Sequence, residues 1–324
     1  MKKNGTVNQE KRVIWGWFPV VLVTAIFCCF LWGSAPAGIK IAYEQFRIGP
    51  EDTASRILFA GTRFTITGIL TILIGSILEK RILIPKKASW LKIVLLGLFQ
   101  TSGQYFFFFM AVAHLSGVRS SIINACGNFL TILFAVYLFR LEKMTVRKMT
   151  GCIIGLCGVL LIVGAGQSVF SGGAITLQGE GAMVMADVFA ATGICLTKIF
   201  SRYEDPVILC GYQFFVGGLV LLLGGLCMGG TLTFYNKTCV FILLYLAFVS
   251  TGAYTLWSIL LKYNPVSKVS ILGFFNPVLG VMISAVVLGE KGEAFSLTGI
   301  ASLLLVTAGV IIVNLQHGKK QKDA

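Results

Sequence analysis

Ten stretches of this 324-residue chain are apolar over about the length an α-helix needs to cross the hydrocarbon of a bilayer. They fall near 18–40, 54–78, 90–113, 117–139, 148–165, 180–200, 206–228, 239–262, 267–289 and 296–315. Lipid accepts apolar side chains but offers nothing to a backbone N–H or C=O, so each run has to satisfy its own backbone as a helix. Hydrophobic residues make up 56% of the chain and charged residues 12%, far from the balance of an ordinary water-soluble domain. The expected fold class is an all-α integral membrane protein with ten transmembrane helices.

A net charge of +14 raises the question of a nucleic-acid partner, and placement answers it. With the N-terminus in the cytoplasm, the basic residues of the tails and alternate loops collect on the inner side. They include Lys2, Lys3, Lys80, Arg81, Lys86, Lys87, Arg140, Lys143, Arg202, Lys262, Lys319 and Lys320. The opposite side keeps Arg47, Arg119, Lys237 and Lys291. This is the positive-inside distribution, so the basic excess orients the chain against membrane lipid and calls for no nucleic acid. The expected location is the cell membrane, multi-pass, with both termini cytoplasmic.

All nine cysteines lie in or at the edge of apolar runs, none forms a C-x-x-C pair, and histidine occurs only at 114 and 317. Neither a disulfide framework nor a metal site is expected. No bound cofactor is implied.

The first apolar run ends in L-W-G-S-A-P-A-G-I-K at 31–40, where Ala35-Pro36-Ala37 resembles a signal-peptidase site. An internal repeat argues against cleavage. Shifting the sequence by 150 places Gly61, Phe64, Gly68, Leu73 and Gly75 on Gly211, Phe214, Gly218, Leu223 and Gly225. Shifting by 148 places Ser102, Val118, Ile123, Asn128, Glu142, Thr150 and Gly151 on Ser250, Val266, Ile271, Asn276, Glu290, Thr298 and Gly299. The chain therefore reads as a tail (1–17), a five-helix repeat (18–165), a linker (166–179), a second repeat (180–315) and a tail (316–324). Helix six has no cleavage site and must be retained, so helix one is expected to be retained too. Five is odd, so the second copy runs through the membrane upside down. Two inverted five-helix repeats are an architecture of secondary transporters.

The pairs S-G-V-R-S-S-I-I-N…N-F-L-T-I-L-F-A-V-Y-L-F-R-L-E and N-P-V-S-K-V-S-I-L-G-F-F-N-P-V-L-G-V-M-I-S-A-V-V-L-G-E resemble the EamA-type repeats of the drug/metabolite transporter superfamily. Trp32-Gly33-Ser34, Pro36, Gly38 and Lys40 fit the start of such a repeat. The resemblance spans about 20–315. It implies ten helices, both termini inside, and export or exchange of small metabolites without nucleotide hydrolysis. One departure is local: the second copy has Asn276-Pro277 where the first has Asn128-Phe129.

Candidate pathway residues come from polar side chains that recur at helical spacing. Ser121, Asn124, Asn128 and Thr131 form one stripe on helix four, and Thr251, Tyr254 or Thr255, Ser258 and Lys262 another on helix eight. Gln100, Gln104 and His114 share a face of helix three. Each such residue can equally serve as hydrogen-bond glue between helices. The small residues Ser270, Gly273, Pro277, Gly280 and Ser284 of helix nine, and Gly151 and Gly155 of helix five, read as packing seams. Gly33, Pro36, Gly38 and Pro277 are candidates for a hinge or helix break, because proline leaves a carbonyl without its intrahelical partner. Trp32 is placed to cap a cavity.

Two intramembrane charges carry the sharpest signal. Arg63 shares a face of helix two with Arg56 and lies about 10 Å deeper by helical rise. An arginine near the bilayer centre demands a partner or water, so Arg63 is either a structural counter-ion or a site for anionic substrate groups. Asp187, on helix six, could carry a proton, anchor an amine, or pair with Arg63. The candidate substrate-binding residues are thus Trp32, Arg63, Gln104, Asn124, Asn128, Tyr254 and Ser258, with Asp187 for ion or proton coupling. Arg63 and Asp187 together suit a zwitterion such as an amino acid.

No catalytic constellation is recognisable and no G-x-x-x-x-G-K-[ST] loop is present, so an enzyme is not expected and a single-chain P-loop pump is excluded. A passive channel remains the main alternative to a secondary transporter of a small-molecule substrate. It would need a polar interior but not inverted halves.

Overall fold

In the computed structural model the described residues are 13–49, 51–114, 124, 127–164, 176–287 and 297–314. Among them all regular structure is helical. The segments are α1 (Phe18–Phe46), α2 (Thr53–Leu78), α3 (90–114), α4 (Gly127–Leu138) and α5 (Val146–Gly164), followed by α6 (Leu177–Phe200), α7 (Pro206–Cys227), α8 (Lys237–Tyr263), α9 (266–287) and α10 (Leu297–Asn314). Six of them (α1, α2, α3, α6, α7 and α8) are long and apolar enough to cross a membrane. Gly127–Leu138, Val266–Gly280 and Leu304–Val313 are shorter apolar helices. The chain is thus a multi-pass helical protein with, among the described residues, six spans that meet the length criterion outright where the sequence alone suggests ten.

Local chemistry sets the helix starts. Asp52, Asp205 and Asn236 cap α2, α7 and α8, accepting hydrogen bonds from the backbone N–H groups of Ser55, Val207 and Cys239 at 2.9, 2.8 and 2.9 Å. Pro206 follows Asp205 at the first helical position, where its missing N–H costs nothing. Two helices carry internal irregularities. α3 passes through a π-helical turn at Gly97–Gly103, and α9 through a 3₁₀ turn at Ile271–Phe274. The N–H that Pro277 lacks would have met the carbonyl of Gly273, inside that 3₁₀ turn. α1, by contrast, runs unbroken through Gly33, Pro36 and Gly38.

Helices α2 and α7 pack antiparallel along a glycine seam. Gly61 faces Leu222, Gly68 faces Phe215, and a Cβ added at Gly68 would lie 2.5 Å from the Phe215 nitrogen. The partner glycines repeat the arrangement: Gly211 faces Ile72 and Gly218 faces Thr65. Each contact maps onto its counterpart by the same offset of 150 found in the sequence. Elsewhere α5 packs on α10, with Gly151 and Gly155 against Gly309, and α1 packs on α8 and α9. Gly33 lies so close to Gly280 that an added Cβ would sit 2.9 Å from its nitrogen, which makes Gly33 a packing position in this structure. With lipid as apolar as leucine, such close backbone approach replaces the hydrophobic effect as the source of helix cohesion.

One end of the bundle is tied by carboxylates. Glu204 accepts from the backbone N–H of Lys86 and Asp205 and from Ser89 Oγ, at 3.0, 3.1 and 2.8 Å. Glu142 accepts from Lys148 Nζ at 2.7 Å, from the Ser267 N–H at 3.0 Å and from Ser267 Oγ. Burial works to raise both carboxyls, but these donors outweigh it and hold each below the usual glutamate value.

The glycine seam makes a direct prediction. Gly218→Leu should lower the melting temperature in detergent by several degrees, in line with overpacking costs of about 1–3 kcal/mol or more. Gly224→Leu, at a position with nothing within 4 Å of an added Cβ, should leave it nearly unchanged.

Candidate functional site

Arg63 is buried, with 4% of its surface exposed, at the centre of a cluster drawn from α1, α2, α3, α7 and α8. Its Nη2 donates to Ser250 Oγ on α8 at 2.7 Å. Its guanidinium lies 4.9 Å from the centroid of the Phe64 ring, which stacks on Phe214 of α7 at 5.3 Å. The hydroxyls of Tyr105 on α3 and Tyr254 on α8 are hydrogen-bonded at 2.7 Å. Tyr254 meets Trp32 of α1 edge-on at 5.1 Å, and Trp32 meets Trp257 at 5.0 Å. Tyr43 closes the cluster from α1, its ring 5.2 Å from the Arg56 guanidinium. The result is an aromatic cage around two arginines, with Arg63 the more deeply buried, built from both sequence halves.

Several polar atoms of this cage are buried and have no hydrogen-bond partner. They are Trp32 Nε1, Tyr43 OH, Arg56 Nε and Arg63 Nε. Buried donors are normally satisfied, and leaving one unmade costs about 1–3 kcal/mol, more for a charged group. Among the described residues no carboxylate pairs with either arginine. These N–H and O–H groups are of the kind that donate to an oxygen-rich anion.

The sequence-derived candidates divide. Trp32, Arg63 and Tyr254 come together in the cage. Ser258 is buried one turn beyond Tyr254 on α8. Gln104 is half-buried just after the π-helical turn of α3. Asn128 lies against Gly273 of α9, and Asn124 is exposed. Ser121 lies outside the described residues. Asp187 is buried against Gly127 of α4, where an added Cβ would be 2.7 Å from its Oδ1. Among the described residues no ion pair joins Asp187 to Arg63: Asp187 lies on the α4 side of α6, whereas Arg63 bonds to Ser250 of α8. A separate cavity of 410 Å³ between α2, α3, α6 and α7 is lined by Ile57, Phe106, Phe189 and Leu221 among others. It is apolar and includes none of the expected site residues.

Tyr43, Tyr105, Ser250 and Trp257 belong to the cage and did not stand out in the sequence. Tyr105 was hidden by the π-helical turn, which rotates the residues after it relative to a regular helix. Ser250 carried a signal, since it is the counterpart of Ser102 in the internal repeat.

Comparison with known proteins adds the remaining finding. The model of the EamA-like transporter family matches residues 19–164 and again 177–315. The chain is 28% identical over 231 residues, covering 67% of it and 74% of the relative, to a protein of Salmonella typhimurium named a probable amino-acid metabolite efflux pump. It is 26% identical to the uncharacterized transporter YvbV of Bacillus subtilis, covering 83% of this chain and 85% of that one. A crystal structure with 19% sequence identity superposes with a TM-score of 0.71, covering 91% of this chain and 98% of the other, a likeness of fold.

An unpaired buried charge and a structural ion pair respond oppositely to removal. Arg63→Met should keep or raise the melting temperature in detergent, because an apolar side chain of similar length relieves unsatisfied donors. A fall equivalent to about 3–5 kcal/mol would mean that Arg63 is held in a structural pair.

Proposed function

Because the chain belongs to the EamA-like transporter family, we propose that it is a secondary transporter that exports a small carboxylate-bearing metabolite, an amino acid or close derivative, by alternating access. The observation that carries this reading is the Arg63 cage: an unpaired cation with open donors, enclosed by aromatic rings, at the meeting of both sequence halves. A carboxylate seated there would accept from Arg63 Nε and Tyr43 OH, and an apolar body would lie against Trp32 and Tyr254. The family relationship excludes an enzyme and points to a small-molecule substrate.

Alternating access draws support from two features. One family model matches the chain twice in succession, as two copies of one unit would require. The α2–α7 seam is reciprocal, with Gly61 on Leu222 and Gly211 on Ile72, as expected where two related halves meet about a pseudo-two-fold axis. Two such halves can rock about the seam and open the cage to either side in turn. Asp187, buried beside α4 and away from the cage, is free in this scheme to serve coupling. Export as the direction, and amino-acid metabolites as the cargo, follow the name of the Salmonella relative. The proposed location is the cell membrane with both termini cytoplasmic.

Comparing metabolites released by cells with and without the protein identifies cargo, and counterflow in proteoliposomes tests the mechanism. The expected outcome is saturable counterflow that Arg63→Met abolishes. Flux that never saturates would contradict the proposal and favour a channel.

A further inference from the structure

No carboxylate among the described residues bonds to the arginines of the Arg63 cage. Among the described residues, Glu142 and Glu204 are engaged by Lys148, Ser267, Lys86 and Ser89 at one end of the bundle. Glu79 pairs with Arg81, Glu180 with Thr176, and Asp52 and Asp205 cap helices. Glu44 and Glu51 are exposed on the surface. Asp187 lies against Gly127 of α4, and none of the cage residues named above comes from α6.

What remains around the site is a set of donors and cations. Arg56 and Arg63 both present an unpartnered Nε, and Tyr43 interacts electrostatically with both guanidiniums. Trp32 Nε1 can only donate. Two ring faces of the cage are already taken by cations, since Arg63 lies over Phe64 and Arg56 over Tyr43. An ammonium entering here would find two like charges and, among the described residues, no carboxylate paired with them. A buried cation without a partner is rejected strongly.

We propose that the cage selects organic monocarboxylates that lack a free ammonium, such as N-acylated amino acids and arylalkanoic acids, over free amino acids. This rests on the cage being the cargo site of the proposed transporter. An amide N–H in place of the ammonium removes the positive charge but keeps the carboxylate for Arg63 and the apolar body for Trp32 and Tyr254.

The test uses full-length protein in proteoliposomes preloaded with labelled N-acetyl-L-phenylalanine. Four external compounds share one benzyl body: N-acetyl-L-phenylalanine, 3-phenylpropionate, L-phenylalanine and L-phenylalaninamide. The first two should drive exchange, L-phenylalanine roughly tenfold or more slower, and the amide not at all. Tyr43→Phe, which keeps the ring and deletes the hydroxyl, should slow carboxylate exchange several-fold and leave the folded protein intact. Exchange of L-phenylalanine or its amide at the rate of the N-acetyl compound would overturn the selectivity and leave the transporter standing. Failure of all four, in protein that shows saturable counterflow of another metabolite, would likewise overturn this inference alone. Absence of counterflow with every metabolite would remove the proposed function beneath it.

Discussion

A guanidinium held inside a bundle that spans a membrane must be matched by something, and at Arg63 the described residues supply a serine hydroxyl and the faces of aromatic rings. Lipid surroundings charge such a residue about 2.5–3.5 kcal/mol even on the mildest scale. The apolar residues of α2 offset that cost during insertion but leave the Nε donor open once the bundle has assembled. The cage follows from this imbalance. Trp32, Tyr43, Tyr105 and Tyr254 surround the charge with rings and polar atoms, and in the proposed function the cargo supplies the acceptor that the open Nε lacks.

Holding that point open requires a stiff frame. The α2–α7 seam provides it, because glycine at 61, 68, 211 and 218 lets two backbones touch where side chains would force them apart. Arg63 and Phe214 are carried by the two helices of this seam, so the cation and its ring stack inherit its geometry. α8 then brings Ser250 and Tyr254 from the other flank, and α1 brings Trp32 and Tyr43. The end tied by Glu142, Glu204 and Lys198 adds long-range polar contacts: Lys198 Nζ donates to the carbonyls of Leu261 and Asn264 at 2.6 Å each, holding the end of α6 to that of α8. The proposed rocking of two halves would have to release these contacts while keeping the seam.

Much of this was legible before any coordinates. The apolar runs announce a helical membrane protein, and the glycines that the offset of 150 aligns as repeat counterparts turn out to line the α2–α7 seam. Arg63, Trp32 and Tyr254, which charge, position and polar spacing single out in the sequence, lie together in the cage. What the sequence concealed was rotation and reach. The π-helical turn at Gly97–Gly103 breaks the spacing that grouped Gln100 with Gln104, so that Gln100 accepts a hydrogen bond from Thr197 at 3.0 Å while Tyr105 turns to the cage. Asp187 and Arg63 look complementary in a list of charges, yet one belongs to the α4 side of α6 and the other to the α7–α8 side of α2. Gly33 and Pro36 look like a helix break, but α1 continues through both because a proline at this point removes one hydrogen bond without forcing the chain out of the helix.

The most direct measurement is an experimental structure of the protein with a transported carboxylate bound. The account predicts a carboxylate oxygen within hydrogen-bonding distance of Arg63 Nε and Tyr43 OH, with the body of the ligand against Trp32 and Tyr254. A ligand seated instead beside Asp187, or in the apolar cavity lined by Phe106 and Phe189, with Arg63 still bonded to Ser250 alone, would contradict it.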